Sequence, residues 1–250
     1  MDILTINGVD LTYQSALGET QALKDFSLTV KSGEFVSLVG PSGCGKTTVL
    51  SLIAGLISPS SGEILLGGKK TGEKANQVGY MLQRDQLFEW RTILDNVLLG
   101  AEIQKKRNSL CEDYAKNLLE KYGLQGFTNR YPRELSGGMR QRVALIRTLV
   151  LRPEILLLDE PFSALDFQTR LSVCDDVYSI IKSENKTAIL VTHDISEAIS
   201  MSDRVVVLSA RPATVKKIFT LNFGQKTPLL RRESAQFPVS FDEIYKEVKT

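Results

Sequence analysis

The chain has 250 residues, of which 42% are hydrophobic and 24% charged, and its formal net charge is +2 at pH 7. These values are typical of a globular protein with a large core, and they exclude fibrous and disordered classes. Charges of both signs are interspersed without a long basic block, so the sequence does not predict a nucleic-acid-binding protein. No apolar stretch reaches the roughly 18 residues that span a bilayer, and no signal pattern begins at Met1, so we expect a cytoplasmic protein.

The first third of the chain predicts strands of two kinds. Residues 3–13, 26–30 and 62–66 alternate apolar and polar side chains, as half-exposed strands do, so we expect them to form an antiparallel sheet. Phe35–Val39 is instead nearly continuously apolar, which is typical of a strand buried on both faces.

A phosphate-binding loop follows this buried strand. Residues 40–47 read GPSGCGKT, and residues 47–54 have a helical pattern. The glycines let backbone N–H groups turn towards phosphate oxygens, Lys46 brings a positive charge, and Thr47 can ligate magnesium. The loop predicts nucleotide binding; a glycine-rich turn with a surface lysine is the alternative. Cys44 lies within the loop and has two interpretations. Alkylation of its thiol would block nucleotide binding, or Cys44 is a small loop residue without a role.

Residues 89–152 are helical in character and predict an inserted helical subdomain. Ser109 and Glu112 have the spacing of a capping box, and Gly123 is placed to end the helix that follows. The two other cysteines are Cys111, in this region, and Cys174, beyond it. Their spacing matches neither a disulfide framework nor a metal site, so we interpret them as packing residues.

A second candidate phosphate site lies in this helical region. Residues 135–142 read LSGGMRQR, which places Ser136, Gly137 and Gly138 at the start of a helical pattern. The N-terminus of a helix binds anions because its backbone N–H groups and its dipole both face the ligand. The sequence therefore contains two phosphate sites for what is expected to be one nucleotide.

Polar residues follow two more buried strands. Asp159 and Glu160 end the apolar run that begins at Ile155, and His193, the only histidine, follows the run Thr187–Val191. In a parallel sheet the carboxyl ends of these strands lie at the same edge as the phosphate loop, which also follows a strand. We interpret Asp159 as a magnesium ligand, Glu160 as a base for an attacking water, and His193 as a hydrogen-bonding partner of the terminal phosphate. Solvent-facing acids and a structural histidine are the alternatives.

Taken in chain order, six segments resemble the motifs of the ATP-binding-cassette ATPase family: residues 40–47, Gln83, residues 135–142, Asp159-Glu160, residues 163–166 and His193. The resemblance covers nearly the whole chain. It implies an α/β fold class, with a P-loop (RecA-like), mostly parallel sheet core, an antiparallel β subdomain and an inserted α-helical subdomain. We expect an ATPase domain at residues 1–230, including the helical subdomain at 89–152, and a short tail at 231–250.

The resemblance also implies the ligands and their binding residues. ATP and Mg²⁺ would be bound. Tyr13 would stack on adenine, although an aromatic residue on an alternating strand commonly serves packing. The loop that would hold the phosphates comprises Gly40, Pro41, Ser42, Gly43, Cys44, Gly45, Lys46, Thr47 and Thr48. The residues that would coordinate magnesium or its waters are Thr47, Gln83 and Asp159.

Roles in catalysis follow from the same resemblance. Glu160 would be the general base, His193 would contact the γ-phosphate, Gln83 would act beside the magnesium ion, and Asp166 would communicate across a dimer. Ser136, Gly137 and Gly138 would bind ATP held by a second copy of the chain, so that two copies meet head to tail.

The chain resembles the motor subunits of importers for nitrate, sulfonate, taurine and vitamin precursors. Its partners would then be membrane permease subunits, docking near residues 83–91, and a solute-binding protein, which places it at the cytoplasmic face of the cell membrane. Nucleic acid would not be a partner. The alternative is a soluble ATPase of the same family that serves a non-membrane assembly, such as iron-sulfur cluster biogenesis.

Overall fold

A computed structural model describes residues 1–15, 18–71 and 77–249 of the chain. The strands within these ranges are β1 (Asp2–Ser15), β2 (Gly18–Lys31), β3 (Phe35–Val39), β4 (Ser61–Leu66), β5 (Lys69–Lys70), β6 (Val78–Met81), β7 (Ile155–Asp159), β8 (Thr187–Val191), β9 (Arg204–Leu208) and β10 (Val215–Thr220). The α-helices are α1 (Lys46–Ile53), α2 (Ile93–Ile103), α3 (Ser109–Lys121), α4 (Gly137–Leu149), α5 (Phe167–Ser183), α6 (Ile195–Met201), α7 (Pro228–Arg232) and α8 (Gln236–Lys249).

The smaller sheet is antiparallel and has the strand order β2-β1-β4-β5. This confirms the sheet that was predicted from the alternating segments. Strand β2 begins eight residues before the predicted segment at 26–30, and its first four residues are exposed. Backbone pairing with β1 forms that part of the strand, so no apolar alternation marks it in the sequence.

The larger sheet has the strand order β10-β9-β3-β8-β7-β6. Its strands are parallel except for β10, which pairs antiparallel with β9 at the edge. Strands β3, β7 and β8 are buried at every position, because helices or the second sheet cover both faces. This is why their sequences are continuous apolar runs. The predicted α/β class with a mostly parallel core is confirmed.

The helical insert lies between β6 and β7 and contains α2, α3 and α4. The capping box predicted at Ser109 and Glu112 is wrong. Asn108 is the N-cap of α3, with its side-chain Oδ1 accepting from the amide of Cys111 at 2.9 Å, and Ser109 is the first helical residue. Glu112 instead pairs with Arg107 at 2.9 Å. Asparagine caps a helix as well as serine does, so the spacing alone assigned the cap one residue late.

The predicted end of α3 is confirmed at Gly123. Its φ of +73° continues the chain in the left-handed conformation that glycine adopts without strain. Cys174 is 1% exposed in the core, and Cys111 packs, half-buried, at its margin. Both positions agree with the predicted packing roles.

Helix α8 packs against α6 and β9, and α7 packs against α5 and α6. Arg231 of α7 is 2% exposed, and its guanidinium donates to the carbonyl of Ser202 and to the Tyr178 hydroxyl, each at 2.8 Å. A buried cation is tolerated when its donors are satisfied in this way. Across the described ranges, no helix combines the length and the apolar character needed to cross a membrane.

Candidate functional site

The phosphate loop connects β3 to α1. Gly43 and Gly45 have φ angles of +71° and +122°, and Gly45 is the N-cap of α1. A side chain at Gly45 would lie about 3.3 Å from Leu23. The Lys46 ammonium is largely buried and donates to the carbonyls of Gly40 and Pro41, each at 2.9 Å. The loop is thus closed around its own lysine at the positive end of a helix, which is suited to binding anions.

The two side chains predicted as magnesium ligands, Thr47 and Asp159, meet beside this loop. The Thr47 hydroxyl donates to Oδ1 of Asp159 at 3.2 Å, and the Tyr80 hydroxyl donates to Oδ2 at 3.2 Å. Burial raises the pKa of the Asp159 carboxyl, an effect that these hydrogen bonds oppose. Burial also raises the pKa of the Tyr80 phenol, so it remains a donor.

This pair fits a magnesium ion. Mg²⁺ prefers hard oxygen ligands and in nucleotide-binding sites uses one or two protein groups together with phosphate oxygens and water. Across the described residues, no three His, Cys, Asp or Glu side chains are grouped to hold a metal. The Thr47 hydroxyl and the Asp159 carboxylate therefore match a site that the substrate completes.

Glu160 and His193 meet at the ends of neighbouring strands. Nδ1 of His193 lies 3.1 Å from Oε2 of Glu160. Glu160 has a φ of +45°, a left-handed conformation that costs a non-glycine residue about 1–3 kcal/mol. Its amide donates to the carbonyl of Val191 at 2.8 Å, and its carbonyl accepts from the Ser163 amide at 3.2 Å. These bonds hold the strained turn that directs the Glu160 side chain towards the phosphate loop.

A cavity of about 590 Å³ lies between these groups. It is lined by Ser42, Gly43, Gly45, Lys46, Thr47, Thr48, Glu160, His193 and Arg211. The structure thus brings together the phosphate loop, the candidate base and the histidine. Arg211 was missed by the sequence analysis, since it lies outside every recognised motif, and its position shortly after the apolar run 205–208 was the one signal that could have found it.

Other predicted residues do not line this cavity. Tyr13 is 44% exposed, and its hydroxyl donates to Oγ1 of Thr48 at 3.3 Å. The Gln83 amide donates to the Ser163 hydroxyl at 3.3 Å. Cys44 is 1% exposed and packs in the apolar core beneath the loop, which favours a small packing residue over an accessible thiol. Asp166 caps α5 by accepting from the amide of Thr169 at 3.1 Å.

The second candidate phosphate site has its own cavity, of about 540 Å³. Its lining comprises Arg84, Asp85, Ser136, Gly137, Arg140, Gln141, Ala164, Leu165, Asp166 and Thr169. Among the described residues, the two cavities have no lining residue in common. The serine-glycine segment therefore does not belong to the cavity formed by the phosphate loop of the same chain.

The serine-glycine segment begins α4 as predicted. Ser136 is the N-cap, and its hydroxyl accepts from the amide of Met139 at 3.3 Å. A side-chain carbon at Gly138 would lie 2.7 Å from Val173, so only glycine fits the contact between α4 and α5. The helix end is therefore packed firmly against the core, with its first turn facing the second cavity.

One salt bridge and two hydrogen bonds that the sequence analysis missed connect α4 to the segment after β6. Arg140 contacts Asp85 at 3.0 Å, and Arg147 donates to the carbonyl of Asp85 at 2.6 Å and to that of Gln86 at 2.7 Å. Burial lowers the pKa of Arg147, but its guanidinium remains a cation with these partners. The segment that carries Gln83 is thus fastened to the helix that begins at Ser136.

Known proteins are similar to this chain over nearly its whole length. The sequence profile of the ABC transporter family matches residues 23–163. An uncharacterized ABC transporter ATP-binding protein of Bacillus subtilis, YtlC, is 47% identical over 100% of this chain and 97% of that protein. The aliphatic sulfonates import ATP-binding protein SsuB of Bacillus cereus is 38% identical over 98% of this chain and 94% of its own length. Taurine and nitrate import ATP-binding proteins also match.

A solved structure agrees with the fold. The ATP-binding cassette MJ0796, a dimer in a post-hydrolysis state bound to ADP and Pi, is 32% identical to this chain and superimposes with a TM-score of 0.73. The match covers 88% of this chain and 100% of that one. The similarity to importer ATPases that was predicted from the motifs is confirmed, and the chain belongs to the ABC transporter family as one of its ATP-binding-cassette ATPases.

Proposed function

We propose that the chain is the ATP-hydrolysing subunit of an importer for a small solute of the nitrate, sulfonate, taurine or vitamin-precursor type. Two copies form a head-to-tail dimer, docked on separate permease subunits at the cytoplasmic face of the membrane and supplied by a solute-binding protein. The names of the matched relatives support import, and they do not favour iron-sulfur cluster assembly.

The separation of the two cavities carries the proposal of a dimer. Each chain has one phosphate loop and one serine-glycine helix end, and the two line different cavities. A second copy brings its Ser136 and Gly137 to the open side of the first cavity. Each ATP then lies between Lys46 of one subunit and the α4 helix end of the other, where the helix dipole faces the γ-phosphate.

Within each site, the chain's own residues have distinct tasks. The loop amides and Lys46 hold the phosphates, while Tyr13 stacks on adenine. Glu160 orients a water molecule and accepts its proton, and His193, already paired with Glu160, hydrogen-bonds the γ-phosphate. Thr47 and Asp159 hold Mg²⁺, with Gln83 contributing from the segment after β6; the ion supplies charge neutralisation at the phosphates when bound.

Closure of the dimer is coupled to the permease through the same segment. Gln83 and Asp85 lie just before Phe88 and Trp90, whose rings stack 4.8 Å apart. Trp90 is 74% exposed, and aromatic side chains are enriched where one protein binds another. Because Arg140 and Arg147 fasten this segment to α4, movement of α4 on closure displaces the aromatic pair that contacts the permease.

Complementation between two inactive variants tests the dimer. Lys46→Ala removes the loop cation, and Ser136→Arg fills the second cavity. Each variant alone is expected to be inactive, but Ser136→Arg retains the ATP affinity of a monomer. Mixing them restores hydrolysis, because the heterodimer contains one intact site. Ser136→Ala controls for loss of the α4 cap. If Ser136→Arg weakens ATP binding by the monomer as much as Lys46→Ala does, the arrangement is wrong.

A further inference from the structure

Arg211 lies at the phosphate loop although it is far from the loop in sequence. Its Nη2 donates to the carbonyl of Gly43 at 2.7 Å, and it lines the same cavity as Lys46, Glu160 and His193. Gly43 belongs to the part of the loop with a left-handed backbone. The carbonyl of Gly43 is therefore held by an external cation, whereas those of Gly40 and Pro41 are held by Lys46.

The segment that carries Arg211 is fixed on both sides. The amide of Ala213 donates to the carbonyl of Ala22 at 2.9 Å, and the amide of Lys24 donates back to the carbonyl of Ala213 at 3.1 Å. On the other side, the Ser209 hydroxyl accepts from the amide of Thr214 at 2.9 Å. Arg211 thus extends from a turn anchored to the antiparallel sheet, which keeps its guanidinium beside the loop.

The guanidinium has donors left for a ligand. It is exposed at the cavity, and within the described ranges its bond to Gly43 is the one hydrogen bond that it makes, with no ion pair. A guanidinium has five N–H donors in a planar fork, which matches the spacing of phosphate oxygens. The Lys46 ammonium already donates to two loop carbonyls, so Arg211 has more donors free than Lys46 has.

We propose that Arg211 is a further nucleotide-binding residue, whose guanidinium contacts the phosphate chain of ATP while bracing the loop through Gly43. This rests on the proposed function, since it assumes that the cavity holds ATP. The contact is assigned to the phosphates because Arg211 is bonded to the phosphate loop itself, whereas the base is assigned to Tyr13 at Thr48.

Three substitutions separate contact with the phosphates from bracing of the loop. Arg211→Gln keeps a side-chain donor for the Gly43 carbonyl but removes the charge, Arg211→Lys keeps the charge without the fork, and Arg211→Ala removes both. Arg133→Ala, at an exposed arginine of the helical insert, is the matched control. The dissociation constants of ATP and ADP are measured by titration, and inorganic tripolyphosphate is the competing probe without a base.

We expect Arg211→Ala and Arg211→Gln to weaken ATP binding about tenfold, the loss of one charge-assisted contact. The affinity for tripolyphosphate is expected to fall by the same factor, and Arg211→Lys is expected to lose less affinity for ATP than the other two variants. The difference in ATP affinity between the native protein and Arg211→Gln becomes smaller as the salt concentration is raised, because salt screens an exposed charge. The KM for ATP rises while kcat stays within about twofold, because the contact is made before the reaction.

Native affinity in Arg211→Gln would reduce Arg211 to a brace and overturn the proposal. A loss of affinity for ATP without a loss of affinity for tripolyphosphate would also overturn it, because the contact would then lie on the base or ribose. Failure of the native protein to bind ATP would instead overturn the proposed function, and the two failures are distinguished by that one titration.

Discussion

Nδ1 of His193 lies 3.1 Å from Oε2 of Glu160, although the two residues are 33 positions apart and follow different strands. The contact exists because β7 and β8 are parallel neighbours, pairing Asp159 with Val191 in register. Residues just beyond those two positions emerge from the same edge of the sheet. The His193 side chain is 63% exposed, whereas that of Glu160 is 26% exposed, so the imidazole is free to meet a ligand while the carboxylate is held.

Replacing the candidate base tests the division of tasks between binding and hydrolysis. Glu160→Gln retains the shape and the hydrogen bond to His193 but cannot accept a proton. We expect ATP hydrolysis to slow by roughly 10²- to 10⁴-fold with unchanged ATP affinity, and the ATP-bound dimer to accumulate. Single-turnover hydrolysis and size-exclusion chromatography with ATP measure both effects. Normal turnover in this variant would remove Glu160 from the reaction.

A buried carboxyl behind His193 makes folding stability depend on pH. Glu197 is 3% exposed, accepts from the Thr192 hydroxyl at 2.6 Å, and lies 3.7 Å from Nε of Arg170. Burial raises the pKa of its carboxyl above the usual 4.5. The folded chain therefore binds this proton more tightly than the unfolded chain, and its contribution to stability decreases as the pH rises from about 4.5 through the folded-state pKa.

Glu197→Gln has no such proton to lose. Relative to the native protein, we expect the free energy of unfolding of this variant to increase as the pH rises from about 4.5, and the difference to level off above the folded-state pKa of Glu197. Urea unfolding at intervals of one pH unit measures the difference, and Glu120→Gln, at an exposed glutamate of α3, is the control. A difference that stays constant with pH would show that burial of Glu197 does not perturb its titration.

The start of α3 gives a stability prediction. Asn108 accepts from the amide of Cys111 at 2.9 Å, while Ser109 makes no capping bond in the structure. Asn108→Ala is expected to lower the free energy of unfolding by about 1 kcal/mol, because an amide at the helix N-terminus loses its acceptor. Ser109→Ala is expected to change it by less than about 0.5 kcal/mol. Urea denaturation measures both changes. A larger loss of stability in Ser109→Ala than in Asn108→Ala would show that Ser109 is the N-cap.

Much of the candidate site could be predicted because its residues follow buried strands. The apolar runs before Gly40, Asp159 and His193 identified strands whose carboxyl ends share one edge, and the loop 40–47 has a local spacing that specifies its conformation. The serine-glycine segment was likewise recognised from its own residues. In each case the chemistry depends on neighbours in sequence, so the information is local.

Arg211, Arg140 and Glu197 could not be predicted in the same way. Each acquires its partner from another part of the chain, Gly43, Asp85 and Arg170 respectively, and no pattern around any of the three residues indicates that partner. Such pairs depend on the order of strands and the packing of helices. The extended first half of β2 was missed for a related reason, since pairing with β1 rather than burial forms it.

The sequence by itself determined the α/β class and predicted the nucleotide-binding loop and a second phosphate site, because glycine conformations, helix starts and buried strands are encoded by adjacent residues. Only the tertiary structure decided that the two sites line separate cavities, and that Arg211 reaches one of them. The reason is geometric: a cavity is formed by surfaces from distant segments, and the distances between those segments are set by how the sheets and helices pack.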